Sequence, residues 1–188
     1  GDDLLTGSAT GARILFGGEG DDVLTATYRG GTSDLFGQGG NDTYRLTSDG
    51  GSVYIHDGEG ANRLELVDVA LAEVSFSQDD TFTRLTWEDA THGTTQAKIH
   101  RSTNFEEFAF ADGATVGQIS FGDGGVRLSG TSGDDILTGS ATGARILFGG
   151  EGDDVLTATY RGGTSDLFGQ GGNDAYRLIS AGGSVYIH

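Results

Sequence analysis

The chain has 188 residues, 35 of them glycine and none proline, cysteine or methionine, and 28 acidic side chains against 11 basic ones give a net charge of −17. Without cysteine there is no disulfide and no Cys-ligated zinc or iron–sulfur centre, and so acidic a surface speaks against nucleic acid or an anionic membrane as partner. No apolar run approaches the ~20 residues of a membrane span, so membrane insertion is not expected. No signal peptide opens the chain, and the lack of methionine with a start partway into a motif suggests a piece of a longer protein.

Residues 1–56 recur as 133–188, an offset of 132. Only four pairs differ: Leu4/Ile136, Thr43/Ala175, Thr47/Ile179 and Asp49/Ala181. So close a copy is the mark of a tandem array. A finer period runs inside 1–65. Candidate buried residues are Leu5, Leu15, Leu24, Leu35, Tyr44, Ile55 and Leu64, spaced by 10, 9, 11, 9, 11 and 9. The second copy offers Leu128, Leu137, Leu147, Leu156, Leu167, Tyr176 and Ile187. One inward side chain per short strand at this spacing predicts a flattened solenoid of two parallel sheets, two turns to a coil.

The position two residues before each buried one reads Asp3, Arg13, Asp22, Ser33, Asp42, Val53 and Asn62. In the second copy it reads Val126, Asp135, Arg145, Asp154, Ser165, Asp174 and Val185. Acids or their amide analogue alternate with residues that bind a hard cation poorly. Alternate turns lie on opposite edges, so one edge is expected to take cations and the other not. Asx-turn propensity alone does not explain such strict alternation. Gly17 to Thr25 shows the unit in full, GGEGDDVLT: a glycine turn that can point carbonyls and an aspartate inward, then a strand burying one leucine.

This stretch fits the nonapeptide template Gly-Gly-x-Gly-x-Asp-x-apolar-x, and with its spaced copies it resembles the RTX (repeats-in-toxin) family. The resemblance covers about 1–65 and 122–188 and implies parallel β-rolls that bind Ca²⁺ between successive turns. The positions it marks as metal ligands or turn residues are Asp3, Gly17, Gly18, Gly20, Asp22, Gly37, Gly39, Gly40, Asp42, Gly58, Gly60 and Asn62. In the second copy they are Gly133, Asp135, Gly149, Gly150, Gly152, Asp154, Gly169, Gly171, Gly172 and Asp174. Arg13 and Arg145 stand where the family has an aspartate, so no metal is expected on their edge. Asp2, Asp21, Asp134 and Asp153 hold the non-ligand acid place and are expected to be solvated charges.

Strands that follow the non-acidic turns point out Ile14 and Phe16, Asp34 and Phe36, Tyr54 and His56. Phe16, Phe36 and Tyr54 are therefore expected in one row, covered by residues 66–121, with Phe148, Phe168 and Tyr186 as the copy. Between 66 and 121 the nine-residue rule stops. Alternation in Val74–Ser77 and Phe82–Trp87, with turn signals at Asp79-Asp80 and Asp89–Gly93, predicts a β-meander over 73–100. The phrase Phe105–Gly113, FEEFAFADG, with Val69–Phe76, resembles the haemolysin-related domain that lies between or after RTX blocks. The roll is expected to resume from Ile119 through Gly122-Asp123-Gly124-Gly125.

An enzyme is not expected. His56, His92, His100 and His188 are scattered, and neither a Gly-x-Ser-x-Gly elbow nor a His-Glu-x-x-His helix is present. Trp87 reads as a packed strand residue. The expected fold is all-β: a parallel β-roll over 1–65, a β-rich interlude over 66–121, and a second roll over 122–188. The resemblance implies calcium-driven folding after type I secretion from a Gram-negative bacterium, with calcium ions and neighbouring repeats as partners. The expected role is a spacer in an extracellular adhesin or surface layer. The alternatives are the secretion and folding module of an extracellular hydrolase or toxin, or ligand binding by the aromatic face. The near-exact copy at an offset of 132 residues favours an array.

Overall fold

A computed structural model describes residues 1–7, 13–27, 31–48, 51–89, 93–123, 125–139, 145–160, 163–180 and 183–188. The chain is all-β and coils as a parallel β-solenoid. Its first strands are β1 (Leu4–Gly7), β2 (Ile14–Glu19), β3 (Val23–Ala26), β4 (Thr32–Gly39), β5 (Thr43–Leu46), β6 (Gly51–His56) and β7 (Asn62–Leu66). Odd strands stack in one sheet and even strands in the other, all parallel. The register brings Leu5, Leu24, Tyr44 and Leu64 into one column, and Leu15, Leu35 and Ile55 into the other. From Leu24 to Leu64 these columns are fully buried, and each such leucine contributes about 1.5–3 kcal/mol of burial. Each strand also turns further positions inward. Ala26, Leu46 and Leu66 line one sheet, and Ser33 and Val53 line the other. The expected single inward residue per strand was too few.

The interlude joins the solenoid edge to edge. It comprises β8 (Ser75–Gln78), β9 (Phe82–Asp89), β10 (Gly93–His100), β11 (Phe105–Phe110) and β12 (Thr115–Val116), with a 3₁₀ turn at Leu71–Glu73. The strands β8, β9 and β10 form the expected antiparallel meander. But β10 also pairs in parallel with β6, setting Ile99 beside Ile55, and β11 pairs in parallel with β7, setting Phe108 beside Leu64. Both sheets thus run on into the interlude, and Leu71, Leu85, Trp87, Phe108 and Val116 complete one core with the roll.

The remaining strands are β13 (Gln118–Gly122), β14 (Gly125–Ser129), β15 (Ile136–Gly139), β16 (Ile146–Glu151), β17 (Val155–Tyr160), β18 (Thr164–Gly171), β19 (Ala175–Ser180) and β20 (Ser184–Ile187). The chain does not resume coiling at Ile119. Instead β13 and β14 form an antiparallel hairpin, with Gly125 at φ 101°, and parallel stacking begins where β14 meets β16. Gly124 lies outside the described residues, as do Asp49 and Ala181 of the compared copies. In this half Leu128, Leu137, Leu147, Leu156 and Leu167 are buried as expected. Tyr176 is only half-buried and Ile187 is 49% exposed, because β19 and β20 are the last strands of their sheets.

The aromatic row differs from expectation in membership and in cover. Phe16, Phe36 and His56 share a register, and β10 and β9 extend it with His100 and Phe82. Tyr54 lies one rung over, beside Asp34 and Lys98. Phe16 and Phe36 stack at 4.9 Å and Phe36 and His56 at 5.0 Å, the separation of neighbouring strands. Phe16 is 57% exposed, and Phe36 and Tyr54 are half-buried. In the copy Phe148 and Phe168 are half-buried, while Tyr186 is 53% exposed. The interlude does not cover the row because its strands lie in the same sheet. It lengthens the row instead.

Candidate cation-binding edge

The acidic turns form a stack along one edge. Gly20 and Gly40 sit at φ 120° and 129°, a conformation side chains resist, and a Cβ on Gly40 would collide with the Gly20 carbonyl of the preceding coil. Gly18, Gly60, Gly150, Gly152 and Gly172 take the same left-handed conformation. Close packing of coils brings each aspartate onto its neighbour's backbone. The Asp3 N–H donates to Asp22 Oδ1 at 2.7 Å, Asp22 N–H to Asp42 Oδ1 at 2.8 Å, and Asp42 N–H to Asn62 Oδ1 at 2.8 Å. Asp135 N–H to Asp154 Oδ1 (2.9 Å) and Asp154 N–H to Asp174 Oδ1 (3.1 Å) repeat the ladder.

The outer acids make a second ladder of opposite sense. Asp21 N–H donates to Asp2 Oδ1, Asn41 N–H to Asp21 Oδ1, and Ala61 N–H to Asn41 Oδ1. Asp134 and Asp153 repeat it. These exposed acids therefore bind the backbone of the next coil. They are more than the solvated charges expected.

What remains on the inner ladder is the second carboxylate oxygen. Oδ2 of Asp22, Asp42 and Asp154 is buried and has no hydrogen-bond partner, and each of these residues is 1% exposed. Asp22 Oδ2 and the Gly37 carbonyl oxygen both crowd the spot a Cβ on Gly17 would fill. Asp154 Oδ2 and the Gly169 carbonyl do the same at Gly149. Two acceptors turned on one dry spot with no donor between them fit a hard cation that takes carbonyl and carboxylate oxygen. Burial raises the Asp42 carboxyl from its ordinary value to about 6, with the charges of Asp57 and Asp22 adding to the rise. It also raises those of Asp135 and Asp154.

Other predicted positions are built differently. Asp135 Oδ2 accepts from the Thr131 backbone N–H at 2.5 Å and from the Thr131 hydroxyl at 3.0 Å, so donors already fill that seat. The Asn62 amide gives its N–H to the Glu59 carbonyl at 3.0 Å. Asp3 is exposed and Asp174 half-buried. Gly39 and Gly171 lie against the carboxylates of Glu19 and Glu151, Gly58 borders open space, and Gly133 lies in ordinary contact range of the Thr131 hydroxyl. Among the described residues no three His, Asp or Glu side chains converge on one point, so a cation here would lean on backbone carbonyls. On the opposite edge Ser33 and Val53 face the core, Arg13 is exposed, and no slot holds a carboxylate. His92 lies outside the described residues.

Sequence reasoning passed over Asp57. It occupies the slot of Gly17 and Gly37, is 5% exposed, and its Oδ2 accepts the Tyr44 hydroxyl at 2.6 Å. A signal was present in the sequence: in this turn the acid stands at the first position and the amide, Asn62, at the sixth. Compared with known proteins, the chain matches no family model, and no curated protein matches it. The resemblance therefore rests on the nonapeptide residues and the fold.

Proposed function

We propose that the chain is a calcium-binding structural repeat of a large secreted protein of the RTX kind, folding as calcium fills the acidic edge. The reading is carried by the partnerless carboxylate oxygens of Asp22 and Asp154, each turned with a carbonyl oxygen on one buried spot. The net charge of −17 supports it, since such a chain repels itself until cations neutralise it. In this reading the protein leaves a Gram-negative cell unfolded by a type I route and folds outside, where calcium fills sites of about 10⁻⁴–10⁻³ M. It then serves as a spacer in an adhesin or surface layer and has no catalytic role.

Equilibrium calcium binding tests the reading. Asp22→Asn and Asp154→Asn keep the Oδ1 acceptor and remove the charge. Each is expected to lower bound calcium by about one ion. A wild-type chain that binds no calcium at millimolar concentration would overturn the proposal. A second reading, ligand binding by the sheet face, draws on the half-exposed row from Phe16 to Phe82. It predicts that Phe36→Ala abolishes retention on a surface that holds the intact chain.

A further inference from the structure

The junction between the roll and the interlude carries a cluster of three side-chain oxygens, two of which, as Asp174 Oδ2 and the Tyr176 hydroxyl, crowd Gly169 in the copy in the same way. Asp42 and Asp57 are 1% and 5% exposed, and Tyr44 is fully buried between them. A Cβ on Gly37 would collide at once with Asp42 Oδ2, the Tyr44 hydroxyl and Asp57 Oδ2, so all three oxygens crowd one point. The phenol accepts from the Gly37 N–H at 2.9 Å and donates to Asp57 Oδ2 at 2.6 Å, which fixes the Asp57 carboxylate. Asp42 Oδ2 faces the same point with no partner. Two carboxylates at one dry point repel each other, and removing one partner's compensation there is costly. At Gly17 and Gly149 the second oxygen comes from a backbone carbonyl. Here it comes from a side chain.

Asp57 also belongs to the joint itself. Its backbone N–H donates to Thr103 Oγ1 at 3.1 Å. The Asn62 N–H donates to the Asn104 carbonyl at 3.2 Å, and Asn104 Nδ2 donates to the Gly60 carbonyl at 3.2 Å. The turn that holds the carboxylate is thus the turn on which the interlude docks.

We propose that Asp42 and Asp57 form a distinct site for one hard divalent cation that couples metal binding to docking of the interlude on the roll, with Tyr44 as the positioning residue. The inference rests on the calcium reading of the edge. It adds to that reading the ligand Asp57 and a consequence for the joint.

The test uses the full chain with Ca²⁺ as probe, reading ion count by calorimetry and strand protection by hydrogen exchange. In the wild type, calcium should raise amide protection along Asn62–Leu66 and Phe105–Phe110. Asp57→Asn should remove about one ion and this gain, while calcium still protects the strands beside Asp22 and Asp154. Tyr44→Phe should weaken one site by about 10-fold or more, the usual effect of removing a group that orients a ligand, which serves as the readout should Asp57→Asn fail to fold. An unchanged ion count and unchanged protection in Asp57→Asn, or unchanged affinities in Tyr44→Phe, overturn the junction site and leave the edge reading standing. A wild type that binds no calcium overturns both.

Discussion

Asp42 shows how one residue can oppose a fold and equip it at the same time. Its carboxyl is buried, and burial shifts it from 3.8 to about 6. A carboxyl raised in this way favours the folded state when protonated. Its contribution is full below pH ~3.8 and lost as pH climbs through about 6. Asp135 and Asp154 shift in the same direction. In chelator, the folded fraction is therefore expected to rise as pH falls from 7 to about 5, followed by circular dichroism. Asp42→Asn should flatten that dependence and stabilise the metal-free chain at pH 7. The gain is at most about 3 kcal/mol, at about 1.4 kcal/mol per pKa unit. A metal-free fold that weakens steadily from pH 7 to 5 would contradict this assignment. Glycine makes a second case at this scale. Gly18 and Gly40 both have positive φ, but a Cβ on Gly18 meets open space, while one on Gly40 strikes the Gly20 backbone. Gly18→Ala should cost about 1 kcal/mol and Gly40→Ala several times that, read from melting with calcium present.

Strands were legible where period and chemistry agreed. The spacing of Leu15, Leu24, Leu35, Tyr44 and Ile55 placed the buried columns, because each coil must return an apolar residue to the same height in the stack. The alternation of acid and non-acid slots placed Asp22 beside Asp42, and Asp154 beside Asp135 and Asp174, for the same reason. Pairing partners outside the repeat were not legible. Nothing in Gly93–His100 says that it adds to β6 in parallel while pairing antiparallel with β9, since both choices bury Ala97 and Ile99. Once β10 extends the sheet, the aromatic row must be lengthened and not covered. Its rings then stabilise by stacking on neighbours. Phe36, between Phe16 and His56, should cost about 1–3 kcal/mol as Phe36→Ala, and the end residue as Phe16→Ala less. Equal losses at both positions in thermal melts would argue against a ladder. Asp57 escaped notice because glycine and aspartate alike are ordinary turn residues. Its hydrogen bond from Tyr44, which lies 13 residues away, is what sets it apart from an ordinary turn acid.

At the scale of the molecule, the coils are held by one shared core and by two ladders of side chain to backbone bonds along a single edge. That edge gathers buried carboxylates without counter-charge, so hydrophobic stacking and electrostatics pull in opposite directions. A cation that binds only the folded chain adds its binding energy to stability. The most direct test is far-ultraviolet circular dichroism at pH 7 after exhaustive dialysis against EDTA, then with calcium restored. The account predicts a coil-like spectrum in chelator, with some strand signal surviving from the interlude. It predicts recovery of the full β spectrum as calcium reaches the millimolar range. A β spectrum that is the same in EDTA as in calcium would contradict it.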